Sequence, residues 1–338
     1  MKTKKLTILI LYAVTVFTLI ALQACKENTT RVLPPVSGKA GEIAVVSTRA
    51  QWEAEPGTTI RSILAAEYPY LPQREPAYTL FNVPHKSFNK IFQVHRNILN
   101  IVISDTITTD GIKVSRDVWA KPQIMLSIYA RDEESASKLI SENAEILLSN
   151  YENAERDRVI RNAKNHTNPT LKKYVVAVMG GSPDFPRDYT EKMHTSNFFW
   201  ISYETSYTNQ GIFVYKFPYQ GEWQLTPEYL VARRDEFLRE NVPATSENSY
   251  MITHPTVAPG FAVKEFNGLE FIEMRGLWDT HNDFMGGPFV SHTYISPDNK
   301  NVVVIEGFVY APKYEKRNYL RQVEYIISSF EWANKEQL

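Results

Sequence analysis

The chain contains one cysteine, Cys25, and it follows directly on an apolar run, Leu6 to Leu22, that Lys2, Lys4 and Lys5 precede. A lone cysteine forms no internal disulfide and no multi-thiolate metal site, so whatever folds downstream must be held together by packing. The material for that is present, because aromatic residues make up 12% of the chain. The basic start, the apolar stretch and the small residues closing on the cysteine have the layout of a secretory leader. Residues 1–24 are therefore expected to be a cleaved signal peptide rather than part of the fold.

Leu22-Gln23-Ala24-Cys25 resembles the bacterial lipobox, in which the cysteine thiol takes acyl chains of the palmitate class and becomes the first mature residue. Several acyl chains on Cys25 hold far more firmly than a single one, which binds a membrane only marginally. The membrane is thus the first expected partner. Residues 25–40 are expected to be the lipidated cysteine and a flexible tether, of which Lys26 to Lys39, polar with a Pro pair, would reach about 40 Å when extended. Lys26 follows the cysteine where retention in the inner membrane would call for Asp. The expected location is the cell envelope, as an outer-membrane lipoprotein facing the periplasm or the surface. The formal charge is −1, and loss of three lysines with the leader makes the mature chain more acidic. Nucleic acid is excluded as a partner on that balance.

Hydrophobic periodicity divides the rest into two halves, 41–168 and 169–338. "EIAVVS", "AYTLFNV", "ILNIVIS" and "PQIMLSIYA" read as strands, "GTTIRSILAAEY" as a helix, and "YPYLPQREP" as a rigid loop because it holds three prolines. From Asp132 to Lys164 an apolar stripe runs through Ala136, Leu139, Ile140, Asn143, Leu147, Tyr151 and Ala154, predicting one long helix with acids in its first turn and bases in its last. "NHTNPT" breaks it. Beyond lie a predicted strand "KKYVVAVM", a hairpin formed by "NFFWISYETSY" and "QGIFVYKFPY", a helix opened by Thr226-Pro227, three strands, and a final helix ending in "IISSF". Strands mixed with flanking helices in both halves give an α+β chain, two mixed α/β sandwich halves with mainly antiparallel sheets.

Two constellations stand out. "RGLWDTHNDFMGGPFVSH" is a candidate binding loop carrying Arg275, Trp278, Asp279, His281, Asp283, Met285 and His292. On a strand, Asp279, His281 and Asp283 would share a face and, with His292, could offer two imidazoles and two carboxylates to a divalent ion. On a loop, Asp, Asn and Gly are the residues that shape a turn, and Gly286-Gly287-Pro288 favours that reading. "RGLW" is expected to end a strand and "PFVSH" to begin the next. The second constellation is a candidate aromatic platform on the hairpin, Trp200, Tyr215, Phe217, Tyr219 and Trp223; one face of it, if open, could stack a sugar or a peptide. Gly180-Gly181-Ser182-Pro183-Asp184 departs from a nucleophile turn, since it lacks the closing Gly and Pro183 removes a backbone N–H. No motif calls for a cofactor.

The order of "LPQREP", "HRNIL", "DVWAKPQ", "NFFWIS", "YKFPY", "RGLWD", "DFMGGPF" and "EGFVYAP" resembles an uncharacterised family of Bacteroidetes lipoproteins defined as a domain of unknown function. That resemblance implies export, lipidation and an α/β fold, and it brings no catalytic residue. The expected function is a non-enzymatic binding or assembly module of the envelope, taking a protein, peptide or glycan. The alternative is a metal-assisted hydrolase built on the 279–292 loop.

Overall fold

A computed structural model describes residues 32–333; the leader, Cys25 and the tether as far as residue 31 lie outside the described residues. From Pro35 onward the chain clusters as a single unit. Its first half contains β1 (Glu42–Val46), α1 (Arg49–Glu53), α2 (Glu55–Leu64), β2 (Thr79–Val83), α3 (Lys90–Gln93), β3 (Asn97–Ile103), β4 (Gly111–Arg116), β5 (Ile124–Ala130), α4 (Glu133–Glu142) and α5 (Ala144–Asn165). The sheet order is β2-β1-β3-β5-β4. Three of its four pairings are parallel and only β4 runs against its neighbour β5, so the antiparallel rule does not extend to this half. Parallel neighbours need crossover connections; α1 and α2 supply the one from β1 to β2, whereas β3 reaches β5 through the edge strand β4. β4 was not foreseen because its "GIKVSR" lacks an apolar run and is half exposed, as suits an edge strand.

The stripe from Asp132 does form helix, but in two pieces. Asp132 caps α4 by accepting from Ser135 N at 2.7 Å, and Asn143 ends it, its side chain bonding back to Leu139 O at 2.8 Å. The polar residue in the apolar stripe is thus the break. α2, α4 and α5 cover the sheet through Ile60, Leu64, Ile140, Leu147 and Tyr151, packed on Ile43, Leu99, Ile101, Leu126 and Ile128.

The second half begins with α6 (Pro169–Met179), where "KKYVVAVM" was expected to be a strand. Helical signals at both ends win over the β-branched composition. Asn168 accepts from Leu171 N, Pro169 occupies the first turn, and Gly180 closes the helix at φ 81°. Leu171, Val175, Val176 and Met179 are then buried on one face. Next come β6 (Gly181–Ser182), β7 (Thr190–His194), β8 (Phe198–Glu204), β9 (Asn209–Pro218), α7 (Pro227–Asn241), β10 (Tyr250–Thr253), β11 (Gly260–Phe266), β12 (Leu269–His281), β13 (Gly286–Ile295), β14 (Asn301–Tyr310), α8 (Arg317–Ile327) and β15 (Glu331–Trp332).

Eight strands make one antiparallel sheet, β10-β12-β13-β14-β9-β8-β7 with β11 added on β12, and β6 pairs with β15 beside it. With antiparallel pairs in the majority over the described residues, the molecule is α+β. One face of the large sheet packs on α6 and α8 and the other on α7, so strands such as β13 and β14 are buried on both sides. Alternate residues of β12 therefore reach different cores: Phe271 lies in the first, Met274 and Trp278 in the second.

The halves are joined at α8. Glu75, in the proline-rich loop, accepts from the first backbone N–H groups of that helix, Lys316 N at 2.6 Å and Arg317 N at 2.9 Å. Arg321 reaches Ala77 O at 2.6 Å and Glu152 on α5 at 3.1 Å. An acidic cap at a helix N-terminus complements both its open N–H groups and its dipole.

Under α7, Arg234 and Glu306 form an ion pair with both side chains fully buried, at 2.7 and 2.8 Å, and Thr253 Oγ1 accepts the third contact at 2.9 Å. Breaking one partner of such a pair strands a charge, at a cost of about 3–5 kcal/mol, whereas replacing both by apolar residues is far milder. Glu306→Gln should accordingly lower the urea midpoint much more than the double change Arg234→Met with Glu306→Leu. Equal losses in the two variants would contradict the stranded-charge account.

Candidate functional site

Residues of β12 at odd numbers point to the α8 side of the sheet, and there Glu273 and Arg275 meet the loop and helix of the first half. Together with β11 and α8 they line a cavity of about 420 Å³. The Arg275 guanidinium donates to Glu324 Oε1 on α8 at 2.6 Å, to Tyr68 Oη at 3.2 Å and to Glu273 at 3.4 Å. Tyr68 Oη in turn donates to the other Glu324 oxygen at 3.2 Å. Lys264 of β11 holds both Glu273 oxygens at 2.9 Å. On the α5 wall, Glu152 accepts from Tyr78, Tyr325 and Arg321.

Electrostatics follow from this geometry. Burial alone would raise the Glu324 carboxyl, but the Arg275 guanidinium overrides it and holds the group at about 2. Burial pushes the Tyr68 hydroxyl well above its ordinary value, with Glu324 adding to the effect. Each carboxylate of the wall is thus committed to a cation. Arg156 of α5 differs. It stacks over Phe266 at 4.7 Å and touches Asn153 Oδ1 at 3.4 Å, its Nε is buried without a partner, and among the described residues no carboxylate pairs with it. Tyr70 sits at the lip in the left-handed region at φ 56°, a conformation that a residue with a side chain adopts only under constraint. Gly260 makes room for it, since a Cβ there would lie 2.4 Å from Tyr70 Oη.

The stretch from Arg275 to His292 is divided by the sheet. Arg275 lies on the polar cavity. His292 stands opposite Glu273 on β13, buried behind the cavity wall against Phe271 with ring centroids 4.1 Å apart. Trp278 and Met285 face the other way and line a second, apolar pocket of about 120 Å³ with Trp200, Met251, Phe308 and Tyr310. Trp278 is 3% exposed and donates to Val309 O at 3.2 Å, which makes it core as well as wall.

"DTH" does not open a loop. β12 runs on to His281, and the turn is limited to Asn282–Met285, with Asn282 at φ 59°. Asp283 shapes it by accepting from Phe284 N and Ser246 N. Nor is Gly286-Gly287 a loop feature, because a Cβ on Gly287 would lie 2.1 Å from Val309 O.

The four weak metal candidates are not brought together. His281 pairs with Tyr250 at the end of β12 and its exposed ring stacks on that tyrosine at 4.9 Å. His292 pairs with Glu273, eight residues back along the same strand, which separates the two rings' backbones by about 26 Å at the rise of a strand. Asp279 shares a face with His281, and Asp283 is used by the turn. The aromatic platform is also corrected. Tyr215 and Phe217 are 1% and 4% exposed because α7 lies over them, with Phe237 4.6 Å from the Tyr215 ring. Tyr219 is half-buried, and Trp223, the exposed member, leans edge-on against Tyr229.

Sequence reasoning missed Tyr68, Glu152, Arg156, Lys264, Glu273 and Glu324. Two signals were present: Glu273 and Arg275 sit between Phe271 and Leu277 on the same side of their strand, and Glu324 interrupts the apolar stripe of the final helix.

Burial holds the His292 imidazole down to about 4, against the upward pull of Glu273 and Glu324. A depressed histidine binds its proton more weakly folded than unfolded. Its contribution to stability is therefore present above about pH 6.5 and lost between about 6.5 and 4 as the pH falls. The total is on the order of 3 kcal/mol. Unfolding free energies followed over that window should fall on acidification in the parent and flatten in His292→Leu. A parallel fall in both would assign the acid limb elsewhere.

Residues 36–164 match a family model described as Domain of unknown function (DUF8532), and residues 168–329 match one described as Domain of unknown function (DUF4837). No curated protein matches the chain. Among solved structures it is similar to a crystal structure from Bacteroides thetaiotaomicron VPI-5482 at 1.50 Å resolution, with 10% identity over 46% of each chain and a TM-score of 0.21. The chain thus spans about half the length of that structure. In its two parts the protein is similar to two domains of unknown function in tandem, and the polar cavity draws its walls from both.

Proposed function

We propose that the protein is a lipid-anchored module of the cell envelope that binds, without transforming, a small polar ligand bearing a carboxylate, in the cavity between Arg156 and Arg275. One observation carries this reading. Three wall carboxylates, Glu152, Glu273 and Glu324, are matched by Arg321, Lys264 and Arg275, which leaves the Arg156 guanidinium as the cation without a counter-charge among the described residues. A carboxylate that ligates Arg156 would complete the set through charge-assisted, bidentate hydrogen bonds. The volume of about 420 Å³ suits a ligand of one or two residues or one sugar ring.

Binding is favoured over catalysis because Glu324 and His292 are both held away from the acidity that proton transfer near neutrality needs. Glu324 is held at about 2, and His292 is buried behind the wall. Peptide and glycan sources share the carboxylate chemistry. Calorimetric titration with an acetylated dipeptide and with a uronic acid, each beside its uncharged amide, tells them apart. The charged member of at least one pair should bind, and Arg156→Gln should weaken it about tenfold or more while Arg156→Lys weakens it less. Equal binding of acid and amide, or an unchanged Arg156→Gln, would overturn the assignment.

Anchoring is supported by the leader and by Leu22-Gln23-Ala24-Cys25. In cell fractionation, Cys25→Ser should move the protein out of the membrane fraction. Retention of the variant in that fraction would refute acylation at Cys25.

A further inference from the structure

The chain enters the folded unit at Pro35, which bridges Lys121 in parallel register, and Ser37 then bonds to Val94 and Arg96 through the backbone. One end of the first half is gathered around that point. Gln123 donates to Gln93 O and His95 O, each at 2.7 Å, tying the loop after β4 to the end of α3. Arg158 of α5 donates to Pro122 O at 3.2 Å and Arg96 O at 2.8 Å.

This end combines exposed lysines with exposed aliphatic side chains. Lys86, Lys90 and Lys121 are exposed, and among them stand Ile91, 74% exposed, and Val118, 37% exposed. Arg116 and Arg161 are exposed beside them, lining a groove of about 170 Å³. The facing carboxylates are Asp117, which pairs with Lys121 at 3.7 Å, and Asp157. Cations therefore outnumber acids at this end although the whole chain carries a net charge of −1. Between Cys25 and Pro35 the backbone spans at most about 34 Å.

We propose that this end is the membrane-facing surface of the protein, with Ile91 and Val118 reaching into the headgroup region and Lys86, Lys90 and Lys121 meeting the phosphates of an anionic phospholipid surface. The orientation rests on the anchoring of Cys25; the chemistry of the surface does not. A tether that ends beside Lys121 holds this end at high effective concentration near the bilayer. Basic side chains are attracted to an anionic leaflet within a Debye length, and aliphatic neighbours add burial at the interface.

The test uses the chain from Cys25 onward carrying Cys25→Ser, so that no acyl chain contributes. Its sedimentation with vesicles of phosphatidylglycerol and phosphatidylcholine in equal parts is compared with vesicles of phosphatidylcholine alone. Binding is expected on the anionic vesicles, falling with added salt, and weakened about tenfold or more by Lys86→Glu, Lys90→Glu and Lys121→Glu together. The control changes Lys138→Glu, Lys300→Glu and Lys313→Glu, all exposed elsewhere, and should leave most of the binding intact. Circular dichroism verifies that both triple variants fold. Absence of binding to the anionic vesicles, or equal loss in the two triple variants, would overturn the proposal. Anchoring is read separately by fractionation, so either claim can fail without the other.

Discussion

Everything at the centre of this molecule depends on the contact of Arg275 with Glu324 and Tyr68. It joins a strand, a helix and a loop that are far apart in sequence, and it does so in a setting where both charged groups are almost wholly removed from water. Desolvation makes such a pair expensive unless each remaining donor and acceptor is used. They are used here: the guanidinium reaches Glu324, Tyr68 and Glu273, and Lys264 covers the outer side of Glu273. The same contact fixes how the proline-rich loop lies against α8, and hence the shape of the cavity.

The alternation of β12 explains why one stretch of sequence carried so many polar and aromatic residues. It serves two faces of a sheet that is buried on both sides. Glu273 and Arg275 are spent on the polar junction, while Trp278 and Thr280 are spent on the apolar pocket under the turn. Density of chemically able residues therefore reflects a strand with two interiors to furnish. The site that results lies at one end of the stretch, and it is completed by residues more than a hundred positions away.

What could be read directly from the chain was mostly local. The hairpin of β8 and β9, the helix α7 with Pro227 in its first turn and the buried strands β3 and β5 follow from period and punctuation. α6 was misread because Val175 and Val176 speak for a strand while the decisive signals are Asn168 and Gly180 at its ends. β12 was cut short at Trp278, because Asp279 and His281 look like loop residues until β10 is seen to pair with them. The parallel pairings of the first sheet, the partner of Arg275 and the isolation of Arg156 are tertiary facts. No spacing within one element encodes them, although Glu324 on an otherwise apolar helix stripe marks that something charged must wait opposite.

If the Arg275 network welds the two parts, residues 35–333 must unfold as one body, since neither part keeps its cavity wall, its loop or its α8 cap without the other. Scanning calorimetry of the chain from Cys25 onward measures this most directly. The account predicts a single transition whose calorimetric and van't Hoff enthalpies agree. Two resolved transitions, one for each half, would contradict it.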